Sequence, residues 1–145
     1  MPEKPRNLEK TTTLYDFDEL SSRTDYPARE VRLAIGKIVG TIVDDVDRLE
    51  HINLGVGEMV KDVETHGDTS NPRLVFVRRE MGGLAIETIN KVKEHSEHNG
   101  FGRMILEKIF GDDYSSSMVG DTYMGHLYIR RPTVARLNPE INQSV

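Results

Sequence analysis

The segment EHSEH, Glu94–His98, offers the best metal-ligating chemistry in the chain. His95 and His98 stand three apart, a spacing that brings two imidazoles to one ion when a helix carries them. On a helix whose buried face is centred near Ala85, Ile89 and Val92, His95 falls at the edge of that face and His98 on the far side. There is no H-E-x-x-H, and a further ligand has to come from His51, His66 or His126 in distant segments. The sequence therefore assigns no metal and no cofactor, and keeps His95 and His98 as weak candidates only.

A second carboxylate-rich stretch, Asp44-Asp45-Asp47-Glu50, lies upstream of Glu58 and Asp62. Divalent cations favour such oxygen donors. Successive helical residues diverge by about 100°, however, which scatters these groups and makes a solvated face the better reading. Gly82-Gly83 and Gly100-Phe101-Gly102 lack both the P-loop and the dinucleotide-binding glycine frames. A helix start after Gly82-Gly83 still leaves room for an anion. Ser115–Ser117 has no local base and no G-x-S-x-G elbow. With no cysteine, thiolate chemistry and disulfides are excluded. No catalytic residue is assigned, and the expectation is a non-enzyme.

Arginine gives the remaining chemistry: Arg73, Arg78, Arg79, Arg103, Arg130, Arg131 and Arg136. If the strands around 74–77 and 124–130 pair, Arg78 and Arg79 meet Arg130 and Arg131. With Tyr123 and Tyr128 nearby, that patch suits single-stranded nucleic acid. The competing reading is edge protection or ion pairing between subunits. The net charge of −5 argues against a nucleic-acid platform as the main surface. Charge is also uneven: residues 1–70 hold 9 basic and 15 acidic side chains, residues 71–145 hold 10 and 9.

These residues need elements to hold them. At 145 residues the chain suits one domain with a real core. Its longest nearly apolar run, Leu33–Val43, contains Lys37 and is too short to span a bilayer. The N-terminal MPEKPRNLEK has no apolar signal region, so no secretion is expected; the expected location is the cytoplasm or an assembled particle. Residues 1–24 read as an extended arm, with a short strand at Thr11–Thr13 and Tyr15, Phe17 and Leu20 as anchors. Residues 25–136 read as one domain and 137–145 as a tail.

Asp25-Tyr26-Pro27 marks a helix start. Beyond it, Ile35, Ile42, Leu49, Val56 and Val63 fall seven apart, and Val31, Ile38, Asp45, Ile52 and Met59 form a second series. Nine of these ten places are apolar, which predicts one long helix over about 27–66, straight or kinked, ended by His66-Gly67. A break near Gly55 is the alternative. A helix of that length spans about 60 Å, whereas a compact globule of this size is roughly 38 Å across. The overhang predicts an oligomer interface on the ten stripe residues, with Asp45 either setting register there or facing water. Further helices are expected over about 84–98 and 101–110, with short strands at 74–77 and 124–130. The expected fold class is mainly α with a small β-sheet, a helical-bundle α+β domain.

The expected function is a non-enzymatic structural or assembly subunit of a multi-chain complex, for which a phage or other viral particle is the fitting analogy. Its partners are expected to be copies of itself or other protein subunits, without membrane insertion. A nucleic-acid-binding accessory protein and a metal-dependent enzyme around EHSEH are the alternatives.

Overall fold

RLVFVRRE and GLAIETINK, residues 73–80 and 83–91, are dense in β-branched and aliphatic side chains. Gly82 between them takes φ +80°, a left-handed conformation that side chains disfavour. Together these features specify a hairpin, with Glu80 opposite Gly83. A computed structural model describes residues 12–80, 82–93 and 101–131, with Phe101 described in its backbone alone. In chain order its elements are β1 (Thr12–Asp16), α1 (Phe17–Ser21), α2 (Pro27–Val39), α3 (Val46–His66), β2 (Arg73–Glu80) and β3 (Gly83–Lys91). Then come α4 (Phe101–Phe110), a 3-10 turn (Gly111–Asp113), β4 (Tyr114–Val119) and β5 (Thr122–Ile129).

The strands form one antiparallel sheet in the order β1-β2-β3-β5-β4. One face carries Val75, Val77, Leu84, Ile86, Leu127 and Ile129, all at most 3% exposed. Against them pack Val31, Ile35 and Val39 of α2, Ile52, Val56, Met59, Val60 and Val63 of α3, and Leu106 of α4. Each such buried aliphatic side chain contributes about 1.5–3 kcal/mol relative to exposure. The core therefore lies between the helices and a single face of the sheet.

This architecture corrects the expected mainly α fold. The helix expected over 84–98 is β3 as far as Lys91. Ala85, Ile86, Ile89 and Val92 fit helical spacing, but Leu84, Ile86, Thr88 and Asn90 also alternate onto one face, and all four are buried. β3 is the central strand, and a central strand reads as a nearly continuous apolar run that periodicity alone cannot tell from a helix. The Ser115–Ser117 loop is β4, and β1 and α1 occupy residues 12–21 of the expected arm, whose residues 1–11 lie outside the described residues, as does the expected tail over 137–145.

The long helix is two. Gly40 ends α2, Thr41 N–H donates to Ile38 O at 3.0 Å, and Ile42 N–H donates to Val39 O at 3.0 Å. Asp45 then adopts an extended conformation, and its carboxylate accepts from Asp47 N–H at 3.2 Å as the N-cap of α3. It is an exposed capping residue of this chain. A Cβ on Gly36 would stand 3.4 Å from Asn53, and one on Gly57 3.3 Å from Arg32, so α2 and α3 run antiparallel. The apolar register survives the break because both helices face the same sheet. Among the described residues there is no helical bundle, and the overhang that predicts an oligomer interface disappears with the continuous helix.

Candidate functional site: the open face of the sheet

Strand alternation sends every second side chain away from the helices. In β2 these are Leu74, Phe76, Arg78 and Glu80; in β3 Ala85, Glu87, Ile89 and Lys91; in β5 Thr122, Met124, His126 and Tyr128. Register aligns Leu74, Ile89 and Met124 in one row across three strands, and Leu14, Phe76, Glu87 and His126 in the next. No described helix covers this face. An antiparallel sheet with one wet face normally shows polar residues there. Here the centre is apolar: Leu74, Phe76, Ile89 and Met124 are half-buried by their neighbours, and Leu14 is 53% exposed.

A charged group sits on the same face. Arg78 Nη2 lies 3.1 Å from Glu87 Oε2 and 3.7 Å from Glu80 Oε1, and His126 Nε2 lies 3.7 Å from Glu87 Oε2. Surface ion pairs contribute little to stability, about 0–1 kcal/mol. Their effect here is to fix polar directionality beside an apolar patch, the composition that gives a binding surface specificity.

A second polar cluster lies on the helix side. Tyr114 and Tyr123 hydroxyls are 3.0 Å apart, over the buried Thr88 and Asn90 of β3. Burial pushes the Tyr114 hydroxyl well above the ordinary tyrosine range, with the Tyr123 hydrogen bond adding to it. A group whose folded pKa is raised stabilises the fold below its unfolded value near 10.0, and that contribution is lost as pH rises beyond it. Tyr114→Phe is accordingly expected to flatten the fall in melting temperature above pH 10, as followed by thermal circular dichroism. An equally steep fall in the variant would contradict the assignment.

Glu58 and Asp62 face the first turn of α4: a Cβ on Gly102 would stand 3.1 Å from Glu58 Oε1 and 3.4 Å from Asp62 Oδ2. Carboxylates suit a helix N-terminus. Among the described residues no cluster of three or more His, Asp or Glu side chains forms a metal site. His95 and His98 lie outside the described residues. A cleft of about 570 Å³ between α3, α4 and the end of β5 mixes Asp45, Arg48, His51, Lys108 and Asp113, so it favours neither anions nor cations.

Among the described residues the arginines do not form a joint patch. β3 separates β2 from β5, which puts two strand spacings, about 9.5 Å, between them. Arg78 is paired to Glu87, and Arg79 reaches Thr41 Oγ1 at 3.5 Å on the helix side. Arg130 makes a bidentate pair with Asp113 at 3.0 and 2.8 Å and lies over the Tyr128 ring. That pairing holds the Arg130 guanidinium above its usual pKa. Arg73 is 6% exposed, bound to Asp18 at 3.1 Å and stacked over Phe17. Arg131 is exposed, and Arg136 lies outside the described residues.

The ten stripe residues fall mostly inside the chain's own core. Val31, Ile35, Ile52, Val56, Met59 and Val63 are at most 3% exposed, and Ile38, Ile42 and Leu49 are partly buried against the same cluster. The open sheet face is not legible in the sequence because Leu74, Phe76, Ile89 and Met124 are single apolar residues in short segments. Only the pairing of β2, β3 and β5 makes them a patch. The signal available beforehand was the apolar character of both alternating sets in residues 73–77.

No family model matches the sequence, and none of the curated proteins compared with it matches. Among solved structures, a chain from the crystal structure of the SiaB-SiaC complex of Pseudomonas aeruginosa superposes with a TM-score of 0.63 at 8% sequence identity. The match covers 88% of this chain and 95% of that one. No helix among the described residues is long and apolar enough to cross a membrane. The superposition overturns the mainly helical reading and leaves the viral-particle analogy without support: what this chain shares with known structures is an α/β fold also found in a component of a bacterial two-protein complex.

Proposed function

We propose that this chain is a non-enzymatic regulatory module that works by binding another protein on the open face of its sheet. The observation that carries the reading is the apolar patch Leu14, Leu74, Phe76, Ile89 and Met124, left without a helical cover among the described residues. Contiguous apolar surface flanked by fixed charges is characteristic of protein interfaces. The similar solved chain comes from a structure of a two-protein complex, which favours a partner of a different sequence. The partner is a folded protein presenting an apolar surface with an acceptor for Arg78 at its rim. Binding acts by occupancy: the patch is covered, and whatever surface the partner uses for it is withdrawn from other contacts.

The test begins with cells making the tagged full chain. A protein recovered in stoichiometric amount is identified, purified and titrated against the chain alone. Phe76→Glu places a charge at the centre of the patch while leaving the opposite core face untouched. Affinity is expected to fall at least tenfold, about 1.4 kcal/mol, with unchanged circular dichroism. Undiminished binding by Phe76→Glu would remove this face from the function.

A further inference from the structure

β4 is one edge of the sheet, and its sequence YSSSMV contains no charge and no proline. Sheet edges are usually blunted by such residues because unpaired backbone groups template further strands. The opposite edge, β1, is a five-residue strand whose final residue, Asp16, turns to cap α1. Among the described residues, β4 pairs with β5 alone.

Which groups point outward follows from the hairpin. Val119 pairs with Thr122 across the two-residue loop Gly120-Asp121, with Gly120 at φ +62°. The pair closing a two-residue loop exchanges both of its hydrogen bonds. Val119, Ser117 and Ser115 therefore aim their backbone groups at β5, while Met118, Ser116 and Tyr114 aim theirs away. Tyr114 N–H is already held by the Gly111 carbonyl. Met118 and Ser116 keep both groups and Tyr114 keeps its carbonyl.

This pattern is self-complementary. We infer that two copies of the chain pair β4 against β4, antiparallel about Ser116, joining their sheets into one of ten strands. Ser116 of each copy exchanges two hydrogen bonds with Ser116 of the other. Met118 N–H of each donates to Tyr114 C=O of the other, so four bonds form. Met118, 51% exposed in the single chain, is brought opposite Tyr114 of the other copy, which covers part of its apolar side chain. The two-fold axis is perpendicular to the sheet, so both open faces look the same way. The dimer offers a bivalent surface, and a partner with two sites would gain avidity from it. The pairing itself does not depend on partner binding.

The test uses the purified full chain alone, by light scattering across a concentration series. The wild type is expected to approach twice the 16.5 kDa chain mass. Ser116→Pro removes an outward donor, and Met118→Lys places a charge on the edge without touching the β5 pairing. Both are expected to weaken the dimer at least tenfold, with Met118→Lys retaining the wild-type circular dichroism spectrum. A wild type that stays monomeric at every concentration, or a Met118→Lys dimer as tight as the wild type, would overturn the inference. Neither result bears on the open face, which is tested by Phe76→Glu.

Discussion

Val56→Asp is expected to abolish the folded state, read as loss of the cooperative thermal transition in circular dichroism. Val56 is 0% exposed, on the side of α3 that faces the sheet. An unpaired carboxylate there costs several kcal/mol, about 4 or more, against a total stability of about 5–15 kcal/mol for a domain of this kind. Leu54→Asp is the control: it lies two residues away, is 51% exposed, and should change stability by no more than about 0.5 kcal/mol. The contrast separates two uses of the same stripe. If Val31 to Val63 faced another chain, Val56→Asp would give a folded but dissociated protein. A folded Val56→Asp monomer would therefore contradict the single-chain core.

Gly55 gives a test of sign. In an exposed helix position Gly→Ala stabilises by about 1 kcal/mol. Here a Cβ would run into the Phe110 ring, with Cζ at 2.7 Å, and stand 3.2 Å from Leu106 Cδ2. Gly55 is the point where α4 crosses α3, and its lack of a side chain sets how closely they approach. Gly55→Ala is expected to destabilise by about 1–3 kcal/mol, and Gly55→Leu to prevent folding. Phe110→Ala should relieve part of the Gly55→Ala penalty, because the two side chains compete for one volume. A stabilising Gly55→Ala, measured by denaturant unfolding, would show that the helices do not touch there.

The two glycine-containing segments of the stripe show what was legible in the sequence. Apolar spacing located the buried face of α2 and α3 because helical burial repeats regularly along the chain. It could not locate the break. The Gly40–Asp45 connection is six residues long and returns the chain to the same sheet, so the heptad count runs on undisturbed. Gly55 attracted suspicion as a breaker, yet its role is set by Phe110, a residue 55 positions later that no local pattern connects to it.

β3 reads as a helix for a different reason. Its burial on both faces near Ala85 and Ile86 erases the alternation that identifies a half-buried strand. β4 was missed because serine carries little strand preference and its pairing with β5 supplies the order. The open face was illegible for both reasons together. Leu74, Phe76, Ile89 and Met124 come from three strands, one of them read as a helix, and only register unites them. The arginines show the converse. Their sequence positions were suggestive, but β3 stands between them, and Asp113, Glu87 and Asp18 neutralise Arg130, Arg78 and Arg73.

The most direct measurement of the central claim compares Phe76→Glu with Leu33→Glu in titrations against the purified partner. Leu33 is 51% exposed on α2, on the layer opposite the open face, and lines a groove of its own. The account predicts at least a tenfold loss of affinity for Phe76→Glu and wild-type affinity for Leu33→Glu, with both variants folded. The reverse pattern, binding lost with Leu33→Glu and kept with Phe76→Glu, would contradict the account and place the interaction on the helices.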